Sequence, residues 1–171
     1  MIRERLDLER ASGSEEESSV TKRVEGDIII NRPIEEVFDF CADERNEPRY
    51  NPRMAHVEQT SSGPIGLGSQ FRAEMRTMGR MVAMTIEWTA YERPARLASW
   101  TRLSGMDIRG DLRFEPVAGG TRMRWAWDLE PHGGLKFMGP LITLMGRRQE
   151  RTIWTGLKRV LEAPDGSATP A

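Results

Sequence analysis

Residues 106–129 read MDIRGDLRFEPVAGGTRMRWAWDL. Met106, Ile108, Gly110, Leu112 and Phe114 fall on one side of an extended chain, and Asp107, Arg109, Asp111, Arg113 and Glu115 on the other. Beyond the turn signal PVAGG at 116–120, Thr121, Met123, Trp125, Trp127 and Leu129 alternate with Arg122, Arg124, Ala126 and Asp128. Side chains of a strand point alternately to its two faces, so a period of two predicts strands. Two such strands across a short glycine turn make an antiparallel pair with one face covered and one in water.

The pattern extends outward on both sides. SSGPIGLGS at 61–69, MGR at 78–80 and ERPAR at 92–96 are further turn signals, with Gly79 suited to a tight hairpin. They bound strand segments at 70–77, 80–91 and 96–103, and VEGDIII at 24–30 is another β-rich run. After the last strand the period changes. Leu141, Ile142, Met145, Gln149, Thr152, Ile153, Gly156, Val160 and Leu161 recur at helical spacing between Gly134 and Glu162. Arg147, Arg148, Arg151, Lys158 and Arg159 fall on the opposite face. One long amphipathic helix across one antiparallel sheet is a two-layer α+β design.

Between the first strand and the sheet lies NRPIEEVFDFCADERNEPRYNP, residues 31–52. Pro33 suits a first helical position, where no amide hydrogen is needed, and Glu35 and Glu36 favour the positive end of the helix dipole. Ile34, Val37, Phe38 and Cys41 form one apolar face, leaving Glu35 and Asp39 to solvent. Pro48 and Pro52 prevent a long continuation, because each lacks a backbone donor and restricts the residue before it. A short helix that stops abruptly here is expected to cover one end of a cavity.

The chain has 171 residues with 25 basic and 26 acidic side chains, enough for one domain with a real core and no footprint for nucleic acid. A single cysteine, Cys41, excludes an intrachain disulfide and a thiol-rich metal site. MIRERLDLER at 1–10 lacks the apolar segment of a secretory signal, and LKFMGPLITLMG at 135–146 is too short to span a bilayer. A cytoplasmic protein is expected. Residues 1–22, with SGSEEESS, read as a disordered tail, 23–162 as the folded domain, and 163–171 as a second tail.

The segments IIINRPIEEVFDFCAD (28–43), GPIGLGSQF (63–71), YERPARL (91–97), GGTRMRW (119–125) and GLKRVLE (156–162) occur in an order and spacing that resemble the polyketide cyclase/dehydrase and lipid-transport superfamily. That group takes in START-like (SRPBCC), pollen-allergen-like and coenzyme-Q-binding proteins. The resemblance covers about residues 24–162. It implies an α+β helix-grip fold: a curved antiparallel sheet of about seven strands around a long C-terminal helix, a cavity between them, and two short helices after strand 1. Many members place Trp where this chain has Tyr50, so the phenol makes the cavity mouth more polar here.

No catalytic constellation is evident. His56 and His132 form no metal-binding pair, Cys41 sits on an apolar helix face, and GPIGLG at 63–68 lacks the following helix of a phosphate loop. No cofactor or metal is expected. The five Trp and ten Met are more informative, since Met conforms to varied shapes and Trp offers flat apolar area. Tyr50, Phe71, Met75, Met84, Trp88, Phe114, Trp125, Trp127, Met138, Ile142 and Met145 are the expected cavity residues. An ordinary packed core accounts for the same residues.

Three functions remain open. The first is binding or carriage of a hydrophobic small molecule such as a lipid, polyketide, isoprenoid or quinone. The second is a cyclase or dehydratase-like enzyme, with an inward acid or base among Glu74, Arg76, Tyr50 and His56. The third is a protein-interaction module, with a partner met through the sheet surface or the N-terminal tail. A buried carboxyl with a raised pKa favours the enzyme, and a wholly apolar cavity favours carriage.

Overall fold

The computed structural model describes residues 22–77, 79–133 and 139–164, with side chains from 23 onward except for 139–149. Strands β1 (Lys22–Ile30), β2 (Met54–Gln59), β3 (Gln70–Thr77), β4 (Arg80–Glu92), β5 (Arg96–Leu103), β6 (Met106–Val117) and β7 (Gly120–Pro131) make one antiparallel sheet. Its order is β1-β7-β6-β5-β4-β3-β2. Strands β2 to β7 form a meander, and β1 pairs with β7 because α1 (Ile34–Ala42) and a 3₁₀ turn (Glu44–Arg49) carry the chain across to β2. Helix α2 (Gly139–Glu162) follows β7. This is the α+β architecture that the alternation and the helical stripe predict. β1 begins at Lys22, one residue inside the segment read as tail. The rest of that tail, and 165–171, lie outside the described residues.

The alternation at 106–129 holds in the structure. Gly110, Leu112, Phe114, Met123, Trp125 and Leu129 are buried, while Arg109, Arg113 and Arg124 are exposed. Two glycines make room for the indoles of β7. A Cβ on Gly110 would lie 2.0 Å from Trp127 Cζ3, and one on Gly26 would lie 2.5 Å from Trp125 Cζ2. Gly110 pairs with Trp127 and Gly26 with Trp125, so each indole lies flat on the backbone of a neighbouring strand.

Helix α1 buries Val37, Phe38, Cys41 and Ala42, as its apolar face predicts. Phe38 meets Tyr91 at 5.3 Å and Phe114 at 5.4 Å between ring centroids, both edge-on. The helix ends at Asp43, whose carboxylate accepts from Arg45 N at 3.1 Å and starts the 3₁₀ turn. Trp88 Nε1 donates to Ala42 O at 3.0 Å and ties this corner to β4.

Helix α2 is rotated from the predicted phase. It buries Ile153, Trp154, Leu157 and Leu161, whereas Thr152, expected inward, is exposed. Both stripes fit a period of 3.6, and the larger apolar area of Trp154 and Leu157 selects the observed one. Its C-terminal end is pinned to β1: Lys158 Nζ donates to Ile29 O at 2.6 Å, and Asn31 N donates to Glu162 Oε1 at 2.6 Å.

Candidate functional site

A cavity of about 200 Å³ lies between the sheet, α2 and the 3₁₀ turn. Its walls are largely apolar, with Met54, Met75, Met84, Ile86, Trp88, Leu103, Ile108, Leu112, Trp127, Leu129, Ile153 and Trp154. One end is polar and carries Cys41, Glu44, Glu47, Tyr50, Asn51 and Glu150. A 3₁₀ helix has three residues per turn, so side chains three apart stack on one line. Glu44, Glu47 and Tyr50 are therefore presented together, with Cys41 one step earlier at the end of α1. The turn is held by Asn46 N donating to Asp43 O at 2.9 Å and Tyr50 N donating to Glu47 O at 3.1 Å.

Glu44, Glu47 and Glu150 at this end are half-buried. Glu44 and Glu47 lie one 3₁₀ turn apart, close enough for each to affect the other's ionisation. Burial, then the charge of Glu47, holds Glu44 well above the ordinary carboxyl range. Burial also raises Glu47, against the opposing effect of Asn51, whose Nδ2 donates to Glu47 Oε1 at 2.8 Å. On α2 at the same end, Glu150 Oε2 accepts from both Trp127 Nε1 and Trp154 Nε1 at 2.7 Å. Burial raises its pKa despite those two donors.

Tyr50 is 9 % exposed and stacks on Trp154 at 6.2 Å. Burial first, and then the nearby charges of Glu47, Cys41, Glu44 and Glu150, keep its phenol protonated. The Cys41 thiol is pushed far up by burial and is no nucleophile.

Of the residues singled out in the sequence, Tyr50, Met75, Met84, Trp88 and Trp127 surround this cavity. Three others do not line it. Phe71 is fully buried edge-on against Trp88 at 6.5 Å. Phe114 is used under α1 against Phe38. Trp125 packs over Gly26 and against Trp154 at 5.2 Å, in the seam between β1 and α2. Met138 and the side chains of Ile142 and Met145 lie outside the described residues. The inward acid–base candidates need correction as well. Glu74 faces His56 across β2 and β3, and Arg76 shares their side. Phe71, Ala73 and Met75 take the inner face of β3, so these three polar groups point away from the cavity. The acids that do reach it are Glu44, Glu47 and Glu150.

The outer face of the sheet also carries a depression, lined by charged residues. Several of its charges are paired within the sheet: Arg96 meets Asp111 at 2.8 Å and Arg23 meets Asp128 at 3.3 Å. No described helix is long and apolar enough to cross a membrane. Among the described residues, no three His, Cys, Asp or Glu converge to hold a metal ion.

Residues 21–162 match the family model described as polyketide cyclase/dehydrase and lipid transport. Among solved structures, the chain is similar to the Zhui aromatase/cyclase from Streptomyces sp. R1128, with TM-score 0.73 and 14% identity over 88% of this chain and 99% of that one. It is similar to a START superfamily protein from Mycobacterium smegmatis, with TM-score 0.71 and 13% identity over 82% and 97% of the two chains. The di-domain ARO/CYC BexL of the BE-7585A biosynthetic pathway gives TM-score 0.65 and 20% identity over 83% of this chain and 48% of that one. At these identities the structural likeness establishes the fold.

Proposed function

The chain belongs to the polyketide cyclase/dehydrase and lipid transport family, and we propose that its cavity binds a small hydrophobic molecule bearing a hydroxyl, enol or keto group. The observation that supports this reading is the division of one cavity into a long apolar wall and a compact polar end. Burial of the ligand's apolar body supplies the affinity, roughly 25 cal/mol per Å² before the costs of association. The Glu44–Glu47 pair and Tyr50 set its orientation, since together they offer donors and acceptors at one end of the cavity.

The experiment is native mass spectrometry of the purified chain, followed by titration with fatty acids, quinones and aromatic polyketides. Trp127 and Trp154 line the cavity, so a saturable change in their emission is expected for at least one class. No saturable response from any class would defeat the reading.

A second reading, acid–base catalysis on the bound molecule, is favoured by the adjacent carboxyls of Glu44 and Glu47 at the cavity's polar end, both raised by burial. Ring closure and loss of water both need a proton taken from carbon beside a carbonyl and a proton delivered to oxygen. A carboxylate beside a carboxylic acid provides the two roles in one place. For an enzyme, Glu47→Gln should lower turnover by about a hundredfold or more while weakening binding far less. Equal losses of turnover and binding would leave Glu47 as an orienting group only.

A further inference from the structure

A groove of about 920 Å³ runs on the outside of the molecule between the 3₁₀ turn and α2. Arg49 projects from one side, and Arg151 and Arg159 from the other, all three exposed. No Asp or Glu lines it among the described residues. Arg49 stacks over Phe40 at 4.9 Å and donates to Asn46 Oδ1 at 3.2 Å, neither of which carries charge. Arg151 and Arg159 have no carboxylate partner among the described residues. Among the described residues, Arg72, Arg80 and Arg109 likewise show no carboxylate partner, whereas other surface arginines do. Arg93 holds Asp39 at 2.7 Å, Arg96 holds Asp111 at 2.8 Å and Arg124 holds Glu115 at 2.9 Å.

Three guanidinium groups around one groove repel one another unless an anion joins them, and their planar forks match the oxygens of a carboxylate or phosphate. The groove also has a defined relation to the cavity, because Tyr50 lines both. The two spaces differ in chemistry: burial pushes the cavity carboxyls toward their neutral forms, whereas the groove's guanidiniums stay charged. Glu44, Glu47 and Glu150 face the cavity, and a further negative charge placed among them is disfavoured at short range and low dielectric. An anionic head is therefore disfavoured in the cavity and favoured in the groove, with Tyr50 at their junction.

We infer that the Arg49–Arg151–Arg159 groove is an anion site, and that it holds the carboxylate or phosphate head of an amphiphile whose apolar body passes Tyr50 into the cavity. This rests on the cavity being a binding site, and it adds the head-group chemistry and the direction of insertion. The head stays in the groove, and the apolar end lies against the methionines and Trp127.

The test compares octanoate, octyl phosphate and octanol, which share one apolar body, by tryptophan emission on the full chain at low and high salt. The two anions should bind at least about tenfold more tightly than the alcohol at low salt, and salt should erase the difference. Arg151→Ala, Arg159→Ala and Arg49→Ala should each reduce the preference for the anions. Their exposure keeps the fold intact, to be checked by circular dichroism. Inorganic phosphate should compete with octanoate and not with octanol. Equal affinity for acid and alcohol, or a preference that survives all three substitutions, would overturn the proposal. Phosphate binding without any preference among the octyl compounds would mark the groove as a free-anion site and overturn it too. Failure of all three octyl compounds to bind would defeat the cavity reading itself.

Discussion

One oxygen of Glu150 accepts two indole N–H groups, from Trp127 on β7 and Trp154 on α2. A single side chain thereby joins the sheet to the helix at the cavity wall. Indole nitrogen can only donate, so each N–H left unpaired at a buried site costs about 1–3 kcal/mol. Glu150→Ala should destabilise the protein by roughly 2–4 kcal/mol on that basis, with the lost packing included. Glu150→Gln keeps one acceptor oxygen and should cost much less. Urea denaturation of the two variants checks this, and equal losses would show that packing rather than the two hydrogen bonds joins the layers. Trp125 is different, for its Nε1 is buried with no partner. We have no physical account of that orphan donor.

At the level of elements, the approach of α2 to the 3₁₀ turn depends on Gly156. A Cβ at that position would lie 2.4 Å from the backbone oxygen of Tyr50. Alanine is the better helix former by about 1 kcal/mol, so propensity alone predicts that Gly156→Ala stabilises. The clash is with backbone, which cannot swing aside, and overpacking of this kind costs roughly 1–3 kcal/mol. The substitution should therefore lower the thermal midpoint and move the emission of Trp154, which stacks on Tyr50. An unchanged or raised midpoint would mean that the turn and the helix are free to separate. The sequence could show Gly156 on a helix but not this neighbour. The same limit governs the rest of the site. Alternation at 106–129 revealed the sheet because charge and apolarity segregate there at every second residue. Cys41, Glu44, Glu47 and Tyr50 are spaced by three, a period that matters only once the segment is 3₁₀. Acidic side chains among Asn, Arg and Pro read most simply as solvated. Trp154 was missed because two stripes on α2 satisfy the same periodicity, and packing against Tyr50, Trp125 and Trp127 chose between them. The family's ordered segments, by contrast, were visible as pieces, and they located the cavity without naming its acids.

For the whole molecule, the cavity carboxyls and the surface carboxylates act on stability in opposite directions. Asp39 and Asp43 are lowered, chiefly by hydrogen bonds from Arg93 and Arg45, so their contribution is present above the ordinary carboxyl range and lost as pH falls. Both partners are partly exposed, and solvent screening keeps that contribution small. Glu44, Glu47 and Glu150 are raised, chiefly by burial, so the folded chain binds more protons than the unfolded one. Stability from these groups is fully present below the unfolded value of 4.5 and is lost as pH rises through their folded values. The urea midpoint of the wild type should therefore peak in mildly acid solution and fall toward alkaline pH. Glutamine at position 44 keeps the shape of the side chain and cannot ionise. The Glu44→Gln, Glu150→Gln double variant should show a flatter alkaline limb, with the acid limb unchanged because Asp39 and Asp43 remain. A wild type equally stable in mildly acid and alkaline solution would mean that these carboxyls reach water freely, and the polar end would then be an open mouth rather than an enclosed site. An amphiphile bound at 100 times its Kd adds about 2.7 kcal/mol to the folded state. Donors of such a ligand that satisfy Glu47 should shrink the alkaline loss as well, which links occupancy of the cavity to the pH profile of the whole fold.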